Sequence, residues 1–313
     1  MRIIRNFNQA EALPPLALTI GNFDGVHLGH KKIIQTINEI ASESNLKSAV
    51  LTFRPHPIQL FRPELARDFT ISSLAQKLQN LHDEKIAYAM IAQFNQNFAN
   101  INAGDFVKKI LVEALNVKHL VIGYDFIFGK NREGNLQMLQ EAAKLYGFRV
   151  SNIDAFKING QICSSTAIRK MLQNGDVVGA NQLLGKNFSI QGHVISGRKL
   201  ARQLGFATAN IMAKPHIIKP KFGVYKVRLK IENKGASNNT TQNGIMNFGI
   251  KPTIGSTFEP LYEIHIFDFN QDIYGKKISV ELLDFLREEK KFDSLENLKQ
   301  QIIMDVKTAK STF

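Results

Sequence analysis

Leu16-Ala17-Leu18-Thr19-Ile20-Gly21-Asn22-Phe23-Asp24-Gly25-Val26-His27-Leu28-Gly29-His30 runs a short apolar segment into a glycine turn and then into a helical period. Beyond the turn, Ile33, Ile34, Ile37, Ile40 and Ala41 recur at helical spacing, so one face of a helix packs on a sheet. Strand, turn and helix in that order open a βαβ unit. The alternation continues to about residue 153, with strands expected at 16–20, 48–53, 87–92, 118–122 and 148–153. Gly147 stands where a glycine closes the helix carrying Leu139, Ala142, Ala143 and Leu145. This half of the chain reads as a parallel sheet with helices.

A short helical stretch, 165–173, and a second one ending near Leu184-Gly185 lead to a different rhythm. Strands are expected at 188–195, 223–231, 244–250, 261–268 and 277–286, with no helix between them long enough for a parallel crossover. The second half is therefore a small antiparallel sheet or barrel, followed by a terminal helix after Asp293 with Leu295, Leu298, Ile302 and Val306 on one stripe. The polar stretch Glu232 to Asn243 reads as an exposed hairpin loop. Domains are placed at 1–186 and 187–313, in keeping with a 313-residue chain of two cores.

Composition narrows the partners. The chain is 44% hydrophobic and 21% charged, within the globular range. Forty Lys and Arg against 27 Asp and Glu leave a net charge of +13, which favours phosphate-bearing partners. One cysteine, Cys163, excludes a disulfide framework and a Cys-rich zinc site and fits a reducing, cytoplasmic setting. The start, MRIIRNFNQAEALPP, holds no apolar run of signal-peptide length, and no run of about 18 apolar residues occurs.

The end of strand 16–20 is where an α/β sheet binds ligands, and free N–H groups at a helix start make an anion site. Gly29 allows a phosphate close to the backbone, while His27 and His30 could hydrogen-bond a phosphoryl group whose charge grows in the transition state. The nearest approach to a Walker A loop, Gly179 to Gly185-Lys186, has one residue too many and ends in Asn187. Ser165 and Thr166 at a helix start, with Arg169 one turn on, offer hydroxyls and a guanidinium to phosphates.

The HxGH element resembles the nucleotidyltransferase superfamily related to class I aminoacyl-tRNA synthetases. Three more segments narrow the resemblance: Phe53-Arg54-Pro55-His56-Pro57, the run Gly123 to Gly134, and Ser164 to Arg169. Together they look like the FMN adenylyltransferase module of the bacterial bifunctional riboflavin kinase/FAD synthetases. The resemblance implies a Rossmann-like fold for the first domain, ATP contacts from Gly21, Phe23, Asp24, Gly29, Ser165, Thr166 and Arg169, catalytic roles for His27 and His30, and flavin contacts from Phe61, Asp125 and Phe128.

In the second half, glycines beside Arg198 and Lys199 suit a phosphate loop, and Thr208 and Asn210 supply hard oxygens suited to Mg²⁺. Gly205-Phe206-Ala207-Thr208-Ala209-Asn210 resembles the riboflavin kinase signature GxPTAN, with Ala207 where proline is usual. That resemblance implies ATP contacts from Gly192, Gly197, Arg198, Lys199 and Gly205, metal contacts from Thr208 and Asn210, a flavin contact from Arg287, and a catalytic base at Glu263. By period-two alternation Glu263 and His265 share a face with Leu261 and Phe267.

The expectation is a two-step enzyme with ATP as co-substrate and Mg²⁺ as cofactor, making FMN in the barrel and FAD in the N-terminal domain. Its expected partners are riboflavin, FMN, FAD and ATP, with no nucleic acid and no membrane, and homo-oligomerisation stays open. Two rivals remain: an adenylyltransferase for another acceptor, and a basic RNA-binding protein with an OB-like barrel.

Overall fold

The computed structural model describes residues 1–5, 13–195, 208–232, 240–252 and 258–313, without the side chains of 250–252, 258 and 259. The chain forms two compact units, Met1–Ser165 and Thr166–Phe313.

In the first unit lie β1 (Arg2–Ile4), β2 (Leu16–Ile20), β3 (Lys47–Arg54), β4 (Tyr88–Gln93), β5 (Val117–Gly123) and β6 (Arg149–Ile153). They form a six-stranded sheet in the order β1-β4-β3-β2-β5-β6, parallel throughout. All of β2 is buried, as a central strand covered on both faces must be. Helix α1 (Leu28–Glu43) joins β2 to β3 and buries Ile34, Ile37 and Ala41, with Ile33 and Ile40 packed half-buried beside them. α2 (Ile58–Phe61) and α3 (Leu74–Asp83) precede β4. α4 (Gln96–Ala99), α5 (Ala103–Asp105) and a wider-wound helical segment, Phe106–Ala114, precede β5, and α6 (Leu136–Tyr146) precedes β6. Gly147 closes α6 at φ 71°, a left-handed position that favours glycine. Winding from β2 through β3 to β4 and then back to β5 on the other side of β2 makes a switch point at the strand ends that carry Gly21 and Gly123. A two-stranded hairpin, β7 (Lys157–Ile158) with β8 (Gln161–Ile162), follows the sheet.

In the second unit α7 (Ser165–Asn174), which starts at the unit boundary, and α8 (Val177–Leu184) lead into β9 (Ser189–His193), β10 (Thr208–Met212), β11 (Gly223–Ile231), β12 (Thr240–Pro252), β13 (Phe258–Ile266) and β14 (Lys277–Arg287). The order is β10-β13-β12-β11-β14-β9, antiparallel throughout, and a bridge between Ile195 and Asn210 brings the two edges together, so the sheet is a nearly closed barrel. Helix α9 (Leu295–Lys310) lays Ile302, Val306 and Ala309 against Val224, Ile245 and Phe267.

Thr208–Met212, outside the five strands expected here, is β10, with Ala209 and Ile211 buried in the barrel. The expected loop Glu232 to Asn243 is also shorter, because Thr240–Asn243 belong to β12 and pair with Arg228–Ile231. Residues 233–239 lie outside the described residues.

Candidate active sites

The loop from Gly21 to His27 is bound down at nearly every residue. Gly21 donates its N–H to Leu51 O at 3.0 Å. Phe23 and Val26 are buried and hold φ of 47° and 48°, and for a β-branched residue such a value is strained. Both carboxylate oxygens of Asp24 accept the Ile71 N–H at 2.9 Å, and one also accepts the Ser72 N–H at 3.1 Å. Gly25 donates to Ser72 Oγ at 3.2 Å. Asp24 thus clamps the loop to the chain entering α3. Asn22, which the sequence reading passed over, has its Oδ1 buried without a hydrogen-bond partner among the described residues. Its place between two selected residues was the available signal.

His27 caps α1, its Nδ1 accepting the His30 N–H at 3.3 Å. An accepting Nδ1 leaves the neutral ring's proton on Nε2, the donor a phosphoryl oxygen requires. The His27 and His30 rings stack at 3.6 Å, and Phe23 lies 4.8 Å from His30. Cys163 Sγ accepts the Gly29 N–H at 3.4 Å and lies 3.6 Å from His27 Nδ1. Burial pushes the Cys163 thiol pKa up, against smaller pulls from the Gly29 and Leu28 amides. The expectation of free N–H groups at this helix start is therefore corrected: Cys163 and His27 take up the amides of Leu28, Gly29 and His30. Gly29 serves that packing as well, since a Cβ there would meet Cys163 O at 3.1 Å and the His27 ring at 3.2 Å.

The other strand-end segments separate the candidate flavin contacts. Phe61 ends α2 and is 63% exposed, with an edge-on contact to Phe94 at 5.6 Å. Phe128 is 7% exposed, packed 5.5 Å from Phe106 and 5.6 Å from Phe126, and exchanges backbone hydrogen bonds with Gly134. Phe128 thus packs into the core of the unit, whereas Phe61 is open to solvent. Asp125 is exposed. Ser165 donates its Oγ hydrogen to Asp24 O at 3.1 Å, while Thr166 is exposed and Arg169, one turn into α7, is half-buried.

In the barrel, β13 points Tyr262, Ile264 and Ile266 inward, so Glu263 and His265 lie on the opposite face, half-buried. Register sets Glu263 between Asn210 on β10 and Asn247 on β12, and His265 between Thr208 and Ile245. Glu263 keeps Leu261 beside it on its own strand, and across the strands it faces two amides. Asn210 is 3% exposed, and its Oδ1 lacks a hydrogen-bond partner among the described residues. Gly192 lies on β9, where a Cβ would fall 2.1 Å from Ile211 Cγ2, so barrel packing alone demands glycine. Arg287 is half-buried, and its Nε and Nη2 donate to the Asp305 carboxylate of α9 at 2.8–3.1 Å. Gly197, Arg198, Lys199, Gly205 and Ala207 lie outside the described residues.

Comparison with known proteins covers both units. The FAD synthetase family profile matches residues 9–167, and the riboflavin kinase family profile matches 184–313. The bifunctional riboflavin kinase/FMN adenylyltransferase of Haemophilus influenzae is 42% identical over 100% of this chain and 99% of its own. The protein of that name from Escherichia coli K12 is 37% identical over 100% and 98%. A crystal structure described as a macrolide-efflux protein from Streptococcus pneumoniae covers 99% of both chains with a TM-score of 0.87 and 28% identity. Among the described residues no helix is long and apolar enough to cross a membrane. With two family profiles in the order of the two units and full-length relatives of one name, the chain belongs to the bifunctional riboflavin kinase/FMN adenylyltransferase family.

Proposed function

We infer that the chain performs both reactions of its family, phosphorylating riboflavin with ATP to FMN and ADP in the barrel and adenylylating FMN with a second ATP to FAD and pyrophosphate in the parallel-sheet unit. The observation that carries this reading is that each family match falls on its own fold with its own polar site. One is the histidine loop at the end of β2; the other is the row Asn210, Glu263, Asn247 across the barrel face.

In the kinase reaction, Glu263 takes the proton from the ribityl 5′-hydroxyl as that oxygen bonds to the γ-phosphorus and the bond to ADP breaks. The residues present fit Mg²⁺: the buried Asn210 Oδ1 lacks a partner among the described residues, and Thr208 lies two residues away on the same face of β10. Bound there, the ion supplies positive charge to the ATP phosphates. In the second reaction a phosphate oxygen of FMN bonds to the α-phosphorus of ATP and pyrophosphate leaves. His27 and His30 donate hydrogen bonds to the oxygens that gain charge, and exposed Phe61 offers a face to the isoalloxazine ring. Phosphate roles for Thr166, Arg169, Gly197, Arg198, Lys199 and Gly205 rest on the family resemblance, as does the exposed Asp125 as a flavin contact. A cytoplasmic setting is proposed from the single, buried Cys163.

The test is a time course with riboflavin, ATP and Mg²⁺, separating the flavins by chromatography. FMN rising before FAD is the expected result. No conversion of supplied FMN would instead favour another acceptor for the parallel-sheet unit.

A further inference from the structure

Beneath the histidine loop lies a charge that this chemistry leaves unused. Lys77, on the first turn of α3, is 6% exposed. Its Nζ donates to Thr52 Oγ1 on β3 at 3.2 Å, and Thr52 Oγ1 donates to the Asn22 carbonyl at 3.1 Å. Asp24, 1% exposed, is its electrostatic partner. Burial pulls the Lys77 ammonium down to about 8, with the Asp24 carboxylate opposing that pull. One side chain is therefore tied to β3, through Thr52 to the backbone of Asn22, and to the charge of Asp24.

The loop needs such a tie. Phe23 and Val26 hold left-handed backbone, a conformation that costs about 1–3 kcal/mol per residue and persists only where the surroundings over-determine it. An ammonium buried this deeply would itself be costly unless paired, so its retention here has to be matched by what it holds. α3 contributes in a second way, through the Asp24 clamp on Ile71 and Ser72 just before its capping box at Ser73 and Gln76. Loop and helix start are locked to each other with Lys77 at the junction.

We propose that Lys77 is a positioning residue for adenylyl transfer: it holds the Asn22–Asp24 segment, and through it His27 and His30, in the geometry that receives the nucleotide phosphates, without touching them. The proposal rests on the adenylyltransferase reading of this site. It assigns Lys77 a role in one reaction only, because its partners among the described residues, Thr52 and Asp24, lie in the parallel-sheet unit.

The experiment measures FAD formation from supplied FMN and FMN formation from riboflavin in the full-length protein, for wild type, Lys77→Met and Lys77→Arg. Lys77→Met should lower kcat/KM for FAD formation at least about tenfold while FMN formation stays at the wild-type rate. Wild-type FAD formation should fall as pH rises through about 8, where the ammonium facing Asp24 and Thr52 loses its proton. Lys77→Arg, whose guanidinium stays charged, should retain FAD formation and move that alkaline limb upward. Full FAD formation by Lys77→Met would overturn the proposal. So would an alkaline limb left in place by Lys77→Arg, even if Lys77→Met unfolds. Wild type making no FAD at any pH would overturn the adenylyltransferase reading itself, a failure recognisable before any variant is measured.

Discussion

At the scale of single residues the two reactions separate. Glu263 lies between two amides of the barrel and His30 on the sheet loop, in different compact units, so each variant reads one reaction. Glu263→Gln keeps the shape and loses the base; it should abolish FMN formation, by a factor of about 10² or more, while FAD still forms from supplied FMN. His30→Ala should do the reverse, and loss of both products from either variant would sink the division of labour. Cys163 makes a different point. Burial holds its thiol pKa above the free value, and Gly29 and Leu28 donate to the sulfur, so it acts as a cap for α1. Native protein should therefore react with iodoacetamide at pH 8 far more slowly than denatured protein, since thiolate is the reactive form and its fraction falls as the pKa rises. Equal native and denatured rates would show an open thiol and remove it from the helix start.

Elements bring in the contacts that no motif announces. The Arg287–Asp305 pair ties β14 to α9, with side chains 17% and 6% exposed. Removing one partner of a largely buried pair leaves an uncompensated charge and costs about 3 kcal/mol. For a unit of this size that lowers the melting temperature by about 10 °C, so Arg287→Met should unfold the barrel early in a thermal scan. A raised KM for riboflavin with an unchanged melting temperature would instead support the flavin contact expected for Arg287. The same scale explains what was legible in the sequence. β2 and α1 were readable because five buried residues in a row and Ile34, Ile37 and Ala41 at helical spacing each follow from one local period. β10 was not, because five residues of alternating character look like loop until β13 supplies their partners. The packing of Phe128 was not legible for a related reason: a loop position says nothing of whether Phe106 and Phe126 close over a ring. Lys77 and Asp24 lie far apart in sequence, and no motif links a buried ammonium to a loop carboxylate. Glu263 and Asn210 were found through resemblance, while their adjacency emerged only with the register.

At the scale of the whole molecule the open question is where the kinase unit begins. The riboflavin kinase profile starts at 184 and the sequence reading cut the chain at 186, yet the compact unit starts at Thr166 and includes both α7 and α8. The physical case favours the earlier start. α8 packs against β14, and Asn181 bonds the barrel twice, its Nδ2 donating to Leu282 O at 2.8 Å and its Oδ1 accepting the Phe188 N–H at 2.7 Å. Ala180, Leu183 and Leu184 are buried along the same helix. Burying a leucine contributes about 1.5–3 kcal/mol, so a barrel stripped of α8 gives up about 3 kcal/mol or more, a large share of a typical domain's stability. Fragments 166–313 and 187–313 both keep Glu263, Thr208 and Asn210, so chemistry alone predicts equal FMN formation from each. Packing predicts that 166–313 melts about 10 °C higher and that only this fragment holds its activity on warming. Equal melting temperatures would show that α8 leans on the barrel without supporting it, and would return the boundary to residue 186.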